Sequence, residues 1–153
     1  MTQSTIWVGL DVHKDSITAA ILEGDEPRAE IVKLSSDLHK VRRLFRRLSA
    51  RGPLRSCYEA SGAGFVLQRS LSAQGYHCEV VAPSLIPRKP GDRRKTDRID
   101  AIMLAKLLRS GHLTPVDVPG IEQEAVRGLV RYRHSVIEDV KRTKRRISGF
   151  LLR

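Results

Sequence analysis

No apolar run in this sequence approaches the ~20 residues that a bilayer-spanning helix requires. The polar opening MTQST leads into a strand-like segment and does not resemble a signal peptide. The expectation is a cytoplasmic protein with no membrane partner. Cysteine is scarce: Cys57 and Cys78 lie inside apolar stretches, with no C-x-x-C and no histidine at ligand spacing. That excludes a disulfide or zinc framework and leaves two buried free thiols as the expectation. Aromatic residues make up only 5% of the chain, so few side chains are available to stack on nucleic-acid bases. Acidic residues are also in the minority, 17 against 28 Lys and Arg, giving a formal charge of +11. Such a field attracts polyanions, nucleic acid first and an anionic membrane surface second.

What is present suffices for one folded domain. The chain has 153 residues, 41% hydrophobic and 29% charged, which is the balance of a globular protein with a core and leaves no room for a second full domain. The expected division is 1–115 as the domain and 116–153 as a connector and the start of a long basic helix.

The first third alternates with a period of two. TIWVGLDV sets Ile6, Val8 and Leu10 on one face and Trp7, Gly9 and Asp11 on the other, and SITAAIL and AEIVKL follow after short turns. An antiparallel meander is expected. SSDLHKVRRLFRRLSARG then carries Leu38, Val41, Phe45 and Leu48 at helical spacing, with Lys40, Arg42, Arg43, Arg46 and Arg47 on its outer face. From Pro53 the pattern becomes strand, helix, strand: LRSCYEA, GFVLQRSLSAQG and HCEVVAP, which predicts parallel strands joined by a crossover. The proline-rich basic stretch PSLIPRKPGDRRK reads as a loop, KTDRIDAIMLAKLL as a helix, and GHLTPVDVPG as a connector. The last helix runs from about Ile121. Positions 126, 130, 133, 137, 140, 144, 147 and 151 step by fours and threes and are apolar except for Arg133 and Lys144, a coiled-coil-like seam. It reaches GFLLR without a capping residue, so the natural chain is expected to continue.

Three strands, a helix, a strand, a helix, a strand and a helix is the order of an RNase H-like domain: an α/β fold with a five-stranded mixed sheet and flanking helices. Asp11 lies within the first strand, at its expected centre, bracketed by apolar residues, where a lone charge is costly unless paired or bound to a cation. Glu59 ends the fourth strand, which neighbours the first in this order. Asp97 and Asp100 stand three residues apart at the start of the KTDRIDA helix and share a face. Acidic residues in a first turn also cap a helix and complement its dipole, so Asp97 has a purely structural reading as an N-cap. If all four carboxylates converge, two of them 4 Å apart repel by about 4 kcal/mol at an effective dielectric near 20. Divalent cations relieve that repulsion, and carboxylate oxygens around hard ions are the ingredients of a two-metal phosphodiester site.

GLDVHK, YEASG and KTDRIDA, in this order and spacing, resemble the N-terminal domain of the DEDD transposases of insertion-sequence family one-hundred-and-ten, whose relatives include site-specific DNA invertases. The resemblance covers essentially the whole chain. It implies a RuvC-like fold with Asp11, Glu59, Asp97 and Asp100 as a catalytic tetrad holding Mg²⁺ or Mn²⁺. It also implies DNA and an element-encoded guide RNA as partners in DNA transposition. Full members carry, after the coiled coil, a second domain with a nucleophilic serine, and that domain is absent from this chain.

Several residues have a plainer reading beside the functional one. Glu59 can cap the helix after ASG. His13 and Lys14 read as a hairpin-turn pair at a strand end more readily than as proton carriers, and Trp7 and Tyr58 read as core. The cations Arg88, Lys89, Arg93, Arg94, Lys95 and Arg98 precede the proposed phosphodiester site and are expected to hold phosphate backbone, as are Lys141, Arg142, Lys144, Arg145 and Arg146 on the last helix. Its seam is expected to form a homo-oligomer. Two other nucleic-acid readings use the same residues: a stand-alone Holliday-junction resolvase, and a non-catalytic binding and dimerisation remnant. An actin-like nucleotide-binding domain, suggested by GLDVHKDSITAAI, ranks last because a second phosphate-loop aspartate with adjacent glycine is missing.

Overall fold

The computed structural model describes residues 4–62, 64–87 and 96–152. Five strands form one mixed sheet in the order β3-β2-β1-β4-β5. β1 (Ile6–Val12), β2 (Ser16–Glu23) and β3 (Glu30–Ser35) are the antiparallel meander, and β4 (Leu54–Glu59) and β5 (His77–Val81) add in parallel beside β1. The architecture is that of an RNase H-like α/β domain. Between the strands come α1 (Leu38–Ser49) and the short α2 (Val66–Ser72); α3 (Asp97–Arg109) and α4 (Ile121–Leu151) follow. Two compact units result, Met1–Asp117 and Val118–Arg153. Among the described residues no helix is long and apolar enough to cross a membrane.

Both faces of the sheet are covered, which explains why β2 is buried along nearly its whole length instead of alternating. Ile6, Val8 and Leu10 are fully buried on one face, where α1 contributes Val41, Leu44, Phe45 and Leu48. Asp37 caps α1 by accepting a hydrogen bond from the His39 amide at 2.8 Å. The Phe45 ring meets Tyr76 edge-on at 5.5 Å, and the Tyr58 hydroxyl donates to the Gly64 carbonyl at 3.2 Å, so Tyr58 is core as expected. Both thiols are buried and free. Burial pushes Cys57 far above the ordinary thiol range and Cys78 to about 11, which keeps both protonated and inert.

The opposite face belongs to α3. Ala101 and Ala105 pack with Ala20 and Leu22, and Leu104 and Leu108 pack with Cys57, Val81 and Ile86. Trp7 fills the space between these two clusters, with the Arg55 guanidinium over its ring at 5.9 Å. A Cβ on Gly9 would lie 2.2 Å from the Ala101 carbonyl oxygen and 2.4 Å from the Ala105 amide, so the helix backbone rests directly on this strand. At its far end, Arg109 donates to the carbonyls of Gly24 (3.2 Å) and Glu26 (2.9 Å) in the β2–β3 turn. The outer edge of β5 is occupied by an antiparallel bridge from Val81 to Pro115, with the Val116 amide donating to Val80 at 2.8 Å.

α4 is a 31-residue helix with no buried residue; Val126, Val130, Val140, Ile147 and Leu151 along the seam are all exposed.

Replacing Gly9 with alanine should destabilise the domain by about 3 kcal/mol or more, because the added methyl meets backbone atoms that cannot rotate away. Urea denaturation of the two proteins measures this; equal midpoints would mean that α3 does not rest on Gly9.

Candidate metal centre

The close approach at Gly9 decides where the first turn of α3 falls. α3 runs antiparallel to β1, and one helical turn back from Ala101, ~6 Å, brings Asp97; two residues forward along β1, ~6.6 Å, brings Asp11 on the same face as Gly9. The two periodicities therefore converge at the C-terminal end of β1. Asp11 lies one residue from that end and not at the strand's centre as the apolar bracketing predicts, and its side chain is 18% exposed. The end of a strand is where a carboxylate can be held by the sheet and still reach a ligand.

His13, just past β1, completes the arrangement. Its Nε2 lies 3.1 Å from Asp11 Oδ2 and 3.5 Å from Asp97 Oδ1. One ligand atom each from Asp11, His13 and Asp97 falls within 4.8 Å of the others. The His13 amide donates to the Ser16 carbonyl at 2.9 Å, so the residue is indeed part of the hairpin turn, but its ring belongs to the site. Glu59, at the end of the neighbouring parallel strand β4, and Asp100 line the same cavity of about 350 Å³ with Asp11, Val12, His13, Ser61 and Asp97. The four carboxylates thus share one cavity, with Glu59 and Asp100 outside the tight triad.

The capping role open to Asp97 is taken by another side chain. The N-cap of α3 is Thr96, whose hydroxyl accepts from the Ile99 amide at 3.3 Å, so Asp97 is a first-turn residue and not the cap. Its threonine is one position too early in the sequence to be taken for part of the site. The cap position of α2 is Phe65, six residues beyond Glu59.

Burial raises the Asp11 carboxyl above its ordinary value; His13 opposes the rise by its charge and its hydrogen bond, while Asp97 and Asp100 add to it. Desolvated negative charge gathered in one place is the electrostatic signature of a cation site. The donor set fits a hard divalent ion: ligand atoms 3.1 and 3.5 Å from the His13 nitrogen are near the ~3.1 Å between adjacent ligands at metal–ligand bonds of ~2.1–2.3 Å, and an imidazole is accepted by Mn²⁺ more readily than by Mg²⁺.

Of the cations expected to hold nucleic acid, Arg98 is exposed on α3, and Lys141, Arg142, Lys144, Arg145 and Arg146 are exposed on α4. Lys141 pairs with Glu138 at 2.8 Å and Arg142 with Asp139 at 3.8 Å, surface pairs that leave both free to exchange partners. Arg88, Lys89, Arg93, Arg94 and Lys95 lie outside the described residues.

Comparison with known proteins identifies the family. The profile of a transposase family, the DEDD transposases of IS110, matches residues 8–153. A Sinorhizobium fredii protein, y4qE, whose name places it among transposases, is 41% identical over 152 residues, covering 96% of this chain and 38% of the relative. The transposase for insertion sequence element IS1533 of Leptospira borgpetersenii is 38% identical over 154 residues, covering 97% of this chain and 44% of the relative. The chain thus spans about two fifths of the length of the curated relatives it matches.

Because the Asp11 carboxyl is raised, its ionised form costs the metal-free fold stability at neutral pH, and that cost disappears as pH falls through the raised value toward the ordinary 3.8. Without metal, Asp11→Asn should therefore be more stable than the parent at pH 8, with the difference vanishing near pH 4. Thermal melts in chelator across this range test it; a variant less stable at pH 8 would mean that Asp11 is a structural residue.

Proposed function

The chain belongs to the IS110 family of DEDD transposases, and from that membership we propose that its first unit is the metal-binding catalytic domain of a transposase that cuts and rejoins DNA. The observation that carries this reading is the convergence of Asp11, His13 and Asp97 within 4.8 Å in a cavity also lined by Glu59 and Asp100. Asp11, Glu59, Asp97 and Asp100 hold Mg²⁺ or Mn²⁺ as the tetrad, and His13 orients Asp11 or joins the ligands. The ions would stabilise the attacking and leaving oxygens of a phosphodiester. The protein's own part is to hold the carboxylates on a rigid strand and helix, keep them ionised in a partly desolvated cavity, and present cations to the flanking phosphates.

The partners are DNA and an element-encoded guide RNA, both met in the cytoplasm, where the transposition reaction would run. Arg88, Lys89, Arg93, Arg94, Lys95 and Arg98 serve phosphate beside the metal centre, and Lys141, Arg142, Lys144, Arg145 and Arg146 serve it along α4. The seam Val126, Val130, Ile137, Val140, Ile147 and Leu151 joins a second copy, since an apolar stripe of this length left in water favours association. Light scattering at increasing concentration should report a dimer that Val130→Glu with Ile137→Glu reduces to a monomer; a monomer throughout would remove this part of the proposal. Full recombination is assigned to the complete protein, including the serine-bearing domain that the family resemblance implies.

Calorimetry with Mn²⁺ should detect binding at millimolar metal that Asp11→Asn and Asp97→Asn each abolish. His13→Ala should weaken it about tenfold, the usual effect of losing a group that orients a ligand. No heat at millimolar Mn²⁺ would refute the metal centre. Magnesium-dependent cleavage of branched DNA by the complete protein, lost in Asp11→Asn, distinguishes an enzyme from a non-catalytic remnant. Alanine at Arg93, Arg94 and Lys95 should weaken DNA binding on any sequence and lower the log–log salt slope by about 0.9 for each of the three that contacts phosphate. An unchanged slope would make the segment a solvated connector.

A further inference from the structure

The residue after Asp11 points the other way. In a strand successive side chains alternate, so Asp11 faces α3 while Val12 faces the layer of α1 and α2. There the structure contains a second cavity, of about 680 Å³, lined by Val12, Ile17, Leu38, Val66 and Leu67 with Lys14, Ser36, Ser61 and Gly62 at its polar margin. Its volume is that of a small-ligand site. The two cavities meet: Val12, His13 and Ser61 line both. The groove therefore begins at the wall of the candidate metal centre and leads around the end of β1 to the other face of the sheet.

We propose that this groove receives one unstacked nucleoside of a DNA strand, the nucleoside joined to the phosphate held at the metal centre. The proposal rests on the reading of that centre as a DNA-cutting site. A phosphate bound beside Asp11 carries its sugar and base with it, and the groove is an apolar surface continuous with that cavity through Val12, His13 and Ser61. Aliphatic walls accept the flat face of any base, and a cation at the rim, Lys14, suits the next phosphate. Hydroxyls at Ser36 and Ser61 offer donors and acceptors to a base edge. Val66 lies open at the groove wall with 57% of its surface exposed, although it begins a helix whose next residue, Leu67, is buried. A ligand that covers Val66 would account for an isopropyl surface left in water at this place.

The test uses the full chain with Mn²⁺ and a 12-nucleotide single-stranded DNA containing 2-aminopurine, read by anisotropy and by fluorescence of the unstacked base. Val66→Trp fills the groove, and Val66→Glu places a negative charge there while suiting the first position of a helix, so neither variant should unfold the domain. Both should lose about tenfold in DNA affinity and the 2-aminopurine signal, with Mn²⁺ binding unchanged. In the parent, the methyl resonances of Val12, Ile17, Leu38, Val66 and Leu67 should shift on adding DNA. Parent protein that binds the DNA while both variants bind it equally well overturns the groove assignment alone and leaves the metal-centre reading standing. Parent protein that binds Mn²⁺ but no DNA overturns both. Groove shifts produced by a 12-nucleotide RNA and not by the DNA overturn the choice of DNA as occupant.

Discussion

The backbone of α3 lies on Gly9, and most of what can be said about function follows from that contact. A side chain at position 9 would collide with the Ala101 carbonyl and the Ala105 amide, so only glycine lets the helix descend to the sheet. Small residues on the facing strand and helix, Ala20, Ala101 and Ala105, continue the close packing. With the far end fixed by Arg109 on the β2–β3 turn, the helix has no freedom to slide, and its first turn is delivered to the end of β1. The acidic centre is thus a consequence of packing: the core contacts place Asp97 beside His13 and Asp11 before any ion or substrate is considered.

That placement works against stability. Four carboxylates around one cavity repel, and the rise in the Asp11 carboxyl records burial together with the charges of Asp97 and Asp100. Two features of the fold offset part of the cost. The positive end of the α3 dipole faces the acidic residues of its own first turn, and His13 supplies a hydrogen bond and a potential positive charge to Asp11. Thr96 takes over the capping of α3, so Asp97 keeps its oxygens for the cavity. A site strained by like charge in the resting protein and relieved by a cation is a common compromise between stability and activity.

The chain as a whole is of the opposite sign. The chain carries an excess of 11 positive charges, with rows of Lys and Arg along α1 and along α4. A surface of this sign favours polyanions, and the acidic cavity at the end of β1 is a local reversal of it. α4 repeats the theme in a different form: eight basic residues against four acidic ones along a helix whose apolar seam is exposed from Val126 to Leu151.

How much of this the sequence determined differs from residue to residue. The period-two alternation through β1 to β3, the helical spacing of Leu38, Val41, Phe45 and Leu48, and the crossover around α2 are local patterns, and the structure has those elements within a few residues of their expected ends. The order of elements likewise implied that β4 would lie beside β1, bringing Glu59 toward Asp11. Gly9 was legible only as a member of the strand; nothing local reveals that a helix ninety residues later will press on it. For the same reason Asp11 looked central to its strand, although the pairing with β2 places it next to the hairpin. His13 reads from the sequence as a turn residue, which it is, and only the arrival of Asp97 from α3 makes its ring part of an acidic centre. The groove beside Val12 has no sequence signature at all, because its walls come from four separate elements. Periodicity and capping are determined by neighbours in the chain, whereas which side chains share a cavity depends on packing between distant segments, and that was decided by the tertiary structure.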